Sequence, residues 1–180
     1  MREIVMDTET TGLDDRAEIV SIAIINNAGE TLLSTLVKPV RPIPPEATRI
    51  HGITNQMVEA AGPLPVEHIQ NLLTGRNVII YNAGYDVPML YRSVNALNLP
   101  EVPWRKIAYF HCAMETFAEI YGEWNEYRGN YRWQKLATAC DYYKIPVVGA
   151  HGALADCQMT LKVCQAMLAA AQKANKADAD

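Results

Sequence analysis

The first 37 residues contain three short apolar runs separated by connections too short for a helical crossover. Residues 2–6 are typical of a buried strand, and residues 18–26 form a second run rich in isoleucine and valine. Residues 27–29 supply a turn, after which residues 31–37 return as a third strand. Parallel pairing would need a dozen or more connecting residues, so these runs predict a three-stranded antiparallel meander.

The rest of the chain alternates strand-like runs with helical patterns. Residues 78–81 and 106–110 predict a fourth and a fifth strand. Apolar residues recur at helical spacing within residues 66–73, 87–97, 114–121, 133–143 and 154–168. A meander followed by alternating strands and helices predicts an α/β fold: a mixed five-stranded sheet flanked by helices. We expect one domain over residues 1–172 and a frayed tail over residues 173–180.

Two carboxylates stand at the end of the first run. Asp7 and Glu9 follow the apolar residues 4–6. Side chains alternate along a strand, so these two point the same way, about 7 Å apart along the backbone. Their repulsion and desolvation are costly unless a cation neutralises them. The pair therefore predicts a divalent metal site.

Two further acids and a histidine lie where helices are predicted to begin. With Pro88 in the first turn, Asp86 would occupy the N-terminus of its helix, where the helix dipole keeps a carboxylate ionised. An ordinary helix cap is the alternative interpretation. Asp156 lies near the start of the last helix, at the border of its apolar stripe. The alternative interpretation is an ordinary aspartate at that border, with no functional role. His151 precedes Asp156 by five residues and is a candidate general base.

Together these residues resemble the DEDDh (DnaQ-like) 3′–5′ exonucleases, a family that includes the proofreading epsilon subunit of bacterial replicative polymerase and exonuclease X. Four segments carry the resemblance: residues 7–13 for DxETTGL, residues 49–54 for IHGIT, residues 81–90 for HNAxFDxxxL and residues 151–157 for HxAxxDA. Tyr81 stands where the family often has histidine, and Tyr85 where it often has phenylalanine. The resemblance covers nearly the whole chain.

This resemblance implies an RNase H-like fold and a metal-dependent exonuclease that releases nucleoside 5′-monophosphates from the 3′ end of DNA, preferentially single-stranded. It implies two Mg²⁺ or Mn²⁺ ions. Asp7 would contact both ions, and Asp86 would serve the ion beside the leaving 3′ oxygen. Glu9 and Asp156 would hold the ion beside the attacking water, and His151 would accept the proton of that water as general base.

The resemblance also implies a pocket for the last nucleotides of the substrate. Its expected members are Thr10, Leu13, His51, Asn82 and Tyr85. An aromatic ring such as that of Tyr85 stacks on any base, which suits an enzyme that trims strands of any sequence.

A second pattern interleaves basic and aromatic side chains. Its members are Tyr127, Arg128, Tyr131, Arg132, Trp133 and Lys135. Such a pattern lines the path of a single strand in many nucleic-acid-binding proteins. A solvated surface with Trp133 in the core is an equally open interpretation. The polar residues 123–126 before it are predicted to form a loop.

Net charge and hydropathy restrict the partners. A formal charge of −4 argues against a protein that stays on nucleic acid, but not against brief contact with a 3′ end. We expect single-stranded DNA as the partner, with RNA as an alternative and no membrane. The chain is expected to act alone or as a homodimer, with a polymerase partner left open. The absence of a signal peptide and of a run of ~20 apolar residues predicts a cytoplasmic location. An RNA-trimming exoribonuclease and a non-catalytic polymerase-accessory module remain alternatives.

Overall fold

A computed structural model describes residues 3–177. The strands are β1 (Glu3–Thr10), β2 (Ile19–Asn26), β3 (Thr31–Leu36), β4 (Asn77–Ile80), β5 (Tyr109–Cys112), β6 (Trp124–Asn125) and β7 (Asn130–Tyr131). The helices are α1 (Pro45–His51), α2 (Asn55–Val58), α3 (Val66–Leu73), α4 (Ala83–Ala96), α5 (Trp104–Ile107), α6 (Ala113–Tyr121), α7 (Leu136–Tyr142) and α8 (Ala153–Ala177).

Five strands form one mixed sheet in the order β3-β2-β1-β4-β5. β1 pairs antiparallel with β2, and β2 pairs antiparallel with β3. β4 runs parallel to both β1 and β5. The predicted α/β fold, a meander extended by two strands and flanked by helices, is therefore confirmed. Because β1 and β4 are parallel neighbours, their carboxyl ends meet at one edge of the sheet, where α/β proteins commonly bind ligands.

The two faces of the sheet are covered by different helices. Side chains alternate along β1. Met6 belongs to the larger core cluster, which lies between the sheet and helices α3 and α4. Val5 belongs to a second cluster with Cys157 of α8. Asp7 and Glu9 continue the Val5 series and therefore lie on the α8 face of the sheet.

The predicted fifth strand is displaced. Residues 106–110 were expected to be extended, but α5 occupies Trp104–Ile107 and β5 begins at Tyr109. Trp104 is fully buried, so packing of its ring favours a helical turn directly after Pro103. Tyr109 then pairs with Asn77 of β4. Periodicity cannot separate a helical turn from a strand in so short an apolar run.

Helix α4 begins earlier than the sequence predicts. It starts at Ala83, so Pro88 lies inside the helix and not in its first turn. The missing N–H of Pro88 costs one helical hydrogen bond, to the carbonyl of Gly84, the residue four positions earlier. The carbonyl of Asn82 accepts hydrogen bonds from the N–H groups of Tyr85 (2.9 Å) and Asp86 (3.2 Å), which fixes the new start.

Residues 123–126, which were predicted to form a loop, contain the first strand of a β-hairpin. β6 and β7 pair through Trp124 with Tyr131, whose ring centroids lie 5.1 Å apart in an edge-on arrangement. Gly129 turns the chain with φ +65°, a left-handed conformation that favours glycine. Trp133 lies outside α7 and is 57% exposed, so its expected place on a helical stripe, and the alternative that put it in the core, are both wrong.

Helix α8 extends beyond the predicted domain boundary. It includes residues 173–177, the first part of the predicted tail, and residues 178–180 lie outside the described residues. Residues 171–176 are exposed, so this turn rests on the helix preference of alanine and lysine and not on packing. The boundary at residue 172 stays a prediction. Within residues 3–177, no helix combines the length and apolar character that crossing a membrane requires.

Candidate active site

A cleft of about 810 Å³ opens at the carboxyl edge of β1 and β4. Its walls come from the beginning of α4, from residues 133–137 and from the chain before and at the start of α8. All five predicted metal-binding and catalytic residues line it: Asp7, Glu9, Asp86, His151 and Asp156. Residues spread over 150 positions of the sequence are thus brought to one surface.

Three carboxylates form the centre of the cleft. Asp7, Glu9 and Asp156 each offer one oxygen atom, and these atoms lie within 4.8 Å of one another. β1 supplies the first two on its α8 face, and the first turn of α8 supplies Asp156. The packing of α8 on the sheet therefore brings Asp156 next to the two carboxylates of β1.

Asp86 reaches the same cleft from α4 and is held by Thr8. One carboxylate oxygen, Oδ1, accepts hydrogen bonds from the backbone N–H (3.1 Å) and the hydroxyl (2.6 Å) of Thr8. Asp86 is 4% exposed. These bonds fix Asp86 at the end of β1 and leave its Oδ2 as the candidate ligand. Sequence reasoning missed Thr8, because nothing in its local pattern signals a partner 78 positions away.

Burial and mutual repulsion make the carboxylates hard to ionise without a cation. Burial, followed by the charges of Asp86, Asp156 and Glu9, raises the pKa of Asp7 well above its usual range. Burial and the charges of Asp156 and Asp86 raise the pKa of Glu9 to about 7. Burial also raises the pKa of Asp86 to about 7, although the hydrogen bonds from Thr8 oppose this shift. Such clusters of raised carboxylate pKa values are typical of functional sites.

The donor set fits a hard divalent cation. The Oδ1 atom of Asp156 is buried and has no hydrogen-bond partner among the described residues. Buried polar atoms are normally satisfied, so this oxygen marks a position that a ligand would complete. Oxygen-only coordination suits Mg²⁺ or Mn²⁺ and not zinc, which prefers nitrogen and sulfur ligands.

His151 lies at the rim of the cleft, two residues before α8. It is exposed and adopts φ +65°, an uncommon conformation for a residue with a side chain. Burial raises the pKa of Asp156, and the nearby charge of His151 partly opposes that shift. Both residues line the cleft, so the imidazole can act there.

The residues predicted to bind the last nucleotides divide into two groups. Leu13, Asn82 and Tyr85 line the cleft, and Leu13 is 85% exposed. The described residues that line the cleft do not include Thr10 or His51. These two instead support the loop after β1.

The support comes from hydrogen bonds. The hydroxyls of Thr10 (3.0 Å) and Tyr85 (2.7 Å) both contact the carbonyl oxygen of Gly12, and they also contact each other. The Nε2 atom of His51 lies 3.2 Å from the carbonyl oxygen of Thr10, and its Nδ1 accepts from the N–H of Ile53 at 3.0 Å. Because Nδ1 is an acceptor, the Nε2–H tautomer of His51 fits both contacts.

One wall of the cleft was predicted only in part. The hydroxyl of Tyr81 donates a hydrogen bond of 2.9 Å to the carbonyl oxygen of Gln134. This bond fixes the extended chain between β7 and α7 against the floor of the cleft. The interleaved basic and aromatic pattern over residues 127–135 predicted part of this wall, since Trp133 and Lys135 line the cleft, but not the role of Tyr81.

Sequence comparison gives three informative similarities. The exonuclease family of the RNase T type matches residues 4–164. The uncharacterized exonuclease CP81 of Escherichia phage 186 is 44% identical over 172 residues, which cover 91% of this chain and 87% of the phage protein. DNA polymerase III subunit epsilon of Rickettsia felis is 28% identical over 189 residues, which cover 98% of this chain and 78% of that subunit.

Solved structures give two further similarities. Exonuclease X in complex with 5′-overhanging duplex DNA superimposes with a TM-score of 0.67 and 26% identity, over 93% of this chain and 92% of that chain. E. coli exonuclease I in complex with a dT13 oligonucleotide gives a TM-score of 0.75 over 98% of this chain but only 42% of its own. At 18% identity, the second similarity shows the fold alone.

Proposed function

The chain belongs to the exonuclease family and is a DnaQ-like 3′–5′ exonuclease with an RNase H-like fold, and from that premise we propose a two-metal mechanism acting on single-stranded DNA. The observation that carries the proposal is the group Asp7, Glu9 and Asp156, whose oxygen atoms converge within 4.8 Å. In that group, one buried carboxylate oxygen has no hydrogen-bond partner within residues 3–177, which supports a metal ligand rather than a structural role.

The acids have distinct proposed roles. Glu9 and Asp156 would hold one Mg²⁺ or Mn²⁺ ion, Asp86 would hold the second, and Asp7 would contact both. When bound, such ions stabilise the charge that develops on the phosphate and lower the pKa of the attacking water. Thr8 keeps Asp86 in position, because its two hydrogen bonds leave the carboxylate little freedom to rotate.

His151 is the proposed general base. An imidazole at the rim can accept the proton of the attacking water and pass it to solvent. Water attack on the last phosphodiester phosphorus breaks the bond to the 3′ oxygen of the preceding nucleotide. The products are a nucleoside 5′-monophosphate and a strand shortened by one nucleotide with a free 3′ hydroxyl.

DNA is the proposed substrate class because the similar structure of exonuclease X holds DNA. The exposed side chain of Leu13 and the ring of Tyr85 offer apolar contacts to the last bases, with Asn82 beside them. These contacts carry no sequence preference. We propose that Thr10 and His51 act indirectly, by holding the loop that presents Leu13.

A polymerase partner is a second candidate setting for the same chemistry. The similarity to DNA polymerase III subunit epsilon spans 98% of this chain and favours it. Co-purification of the tagged chain with a polymerase would support proofreading, whereas full activity as an isolated monomer or homodimer would favour independent action.

Matched oligonucleotides test the proposed function. DNA and RNA oligomers, single- and double-stranded and labelled at either end, would be incubated with Mn²⁺. We expect single-stranded DNA with a 5′ label to shorten one nucleotide at a time, and a 3′ label to appear first as a mononucleotide. Internal cleavage, trimming from the 5′ end, or undiminished activity in excess EDTA would contradict the proposal. Faster trimming of RNA would instead identify an exoribonuclease.

A further inference from the structure

The cleft is strongly acidic although its proposed substrate is a polyanion. Four carboxylates line it, and metal ions would neutralise charge only where the reacting phosphate lies. Lys135 is the one lysine or arginine among the described residues that line the cleft. Among these residues, Lys135 is therefore the candidate to pair with an additional phosphate.

Trp133 carries the most exposed aromatic ring among the described residues that line the cleft. Among the described lining residues, the rings are those of Tyr81, Tyr85 and Trp133. Tyr81 is 7% exposed, and the hydroxyl of Tyr85 is bonded to the Gly12 carbonyl. The indole of Trp133 is 57% exposed. An exposed tryptophan in a cleft that takes nucleic acid offers a stacking surface for a base.

Trp133 and Lys135 belong to a segment that hydrogen bonds hold at both neighbouring positions. Next to them, Gln134 accepts the hydrogen bond from buried Tyr81. On the hairpin side, Arg132 donates its N–H to the carbonyl of Glu123 at 2.8 Å and its guanidinium lies 3.2 Å from the carboxylate of Glu123. Lys135 itself has extended backbone angles. Both side chains belong to residues that line the cleft.

We propose that Trp133 and Lys135 form a binding site for the nucleotides on the 5′ side of the scissile phosphate. Trp133 stacks on a base, and Lys135 pairs with a backbone phosphate. This inference rests on the proposed exonuclease function and adds a second subsite to it. Its residues differ from those assigned to the last nucleotide.

The cavity on the other side of the hairpin does not suit a DNA strand. A second cavity of about 390 Å³ lies there, lined by the rings of Trp124, Tyr131 and Trp133. Glu115 and Glu119 of α6 also line it, and their carboxylates would repel phosphates. The strand is therefore expected to follow the cleft side of Trp133.

Substrate length tests the role of Trp133. Trp133→Ala and Trp133→Phe would be compared on a twelve-nucleotide single-stranded DNA and on the p-nitrophenyl ester of thymidine 5′-monophosphate, which has one nucleotide and no upstream strand. We expect Trp133→Ala to raise the KM for the oligomer about tenfold more than the KM for the ester, with kcat changed far less than KM. Trp133→Phe should restore most of the oligomer KM, because a ring remains.

Salt dependence tests the role of Lys135. Binding of a phosphorothioate oligomer that resists hydrolysis would be measured over a range of salt concentrations. We expect Lys135→Ala to make the slope of log affinity against log salt shallower by about 0.7, the value of one phosphate contact on a single strand. Lys135→Arg should retain the wild-type slope.

Tyr127→Ala is the matched control, because Tyr127 is 97% exposed at the hairpin tip and lines neither cavity among the described residues. It should leave both KM values and the salt slope at their wild-type levels. Equal effects of Trp133→Ala on oligomer and ester, or no effect on either, would overturn this inference while the exonuclease function stands. A wild-type protein that hydrolyses neither substrate would instead overturn the proposed function, and this inference with it.

Discussion

At the residue scale, the position of Asp86 depends on Thr8. The hydroxyl of Thr8 donates a 2.6 Å hydrogen bond to a carboxylate whose pKa burial already raises to about 7. A hydrogen bond to a charged group contributes about 1.5–3 kcal/mol, so its loss would both misplace Asp86 and favour its protonated form.

Thr8→Val tests this dependence with little change in volume. We expect kcat at saturating Mn²⁺ to fall about tenfold or more, with the acidic limb of its pH profile moved to higher pH. Thr8→Ser keeps a hydroxyl and should recover most of the activity. Wild-type kcat and an unmoved profile in Thr8→Val would show that the backbone N–H alone positions Asp86.

Removing one of the converging carboxylates should lower activity, and removing Asp7 should also raise the stability of the metal-free protein. Asp7→Asn or Asp156→Ala is expected to lower kcat/KM about a thousandfold, because metal-assisted stabilisation of the transition state amounts to several kcal/mol. In EDTA at pH 8, the Tm of Asp7→Asn should exceed that of the wild type, since a repelling charge is gone. Near-wild-type activity in either variant would refute the metal assignment.

The raised pKa values also predict how metal-free stability depends on pH. Burial raises the pKa of Glu9 from 4.5 to about 7, so the folded chain keeps a proton that the unfolded chain has lost. Between about pH 4.5 and pH 7 the folded state binds more protons, and the free energy of unfolding therefore falls as pH rises. Above pH 7 this contribution is constant.

Urea denaturation in EDTA at pH 5, 6, 7 and 8 measures this decline. Millimolar Mg²⁺ should weaken or reverse it, because ions bind the ionised acids. Glu9→Gln should show a shallower decline than the wild type. Burial lowers the pKa of His51, so this residue makes the free energy of unfolding rise with pH in the range below its ordinary value of 6.5. Both proteins carry His51, so its contribution is common to the two slopes. Equal slopes in the two proteins would contradict the assigned pKa shift of Glu9.

At the scale of elements, the wall of the cleft depends on one tyrosine. Tyr81 is buried at the end of β4, and its hydroxyl bonds the carbonyl of Gln134, 53 positions away. Tyr81→Phe should lower the free energy of unfolding by about 1 kcal/mol, since the carbonyl loses a donor. It should also raise the KM for single-stranded oligomers more than it lowers kcat. Unchanged stability and KM would show that the wall is held by the hairpin alone.

Element positions were predictable where local signals are strong. The first four strands lie where the apolar runs indicated. The errors fall where tertiary packing decides. Burial of Trp104 converts the start of the predicted fifth strand into a helical turn. The two-residue strands of the hairpin are too short for any periodic pattern to appear.

At the scale of the molecule, the sheet topology explains why distant acids meet. β1 and β4 are parallel neighbours, so residues that follow each strand share one edge, and α8 packs across β1 to add Asp156. The order of strands and helices predicted this mixed sheet. It could not predict how Tyr81 holds the wall at residues 133–137 or how Thr8 anchors Asp86, because both depend on contacts between distant segments that leave no trace in local sequence.

The central claim is that four carboxylates hold two divalent ions in this cleft. Crystals grown with Mn²⁺ and measured at the manganese absorption edge test it directly. We expect two anomalous peaks about 4 Å apart, one between Glu9 and Asp156 and one beside Asp86, with Asp7 contacting both. A cleft without anomalous density at saturating Mn²⁺, or peaks bound only elsewhere on the surface, would contradict the account.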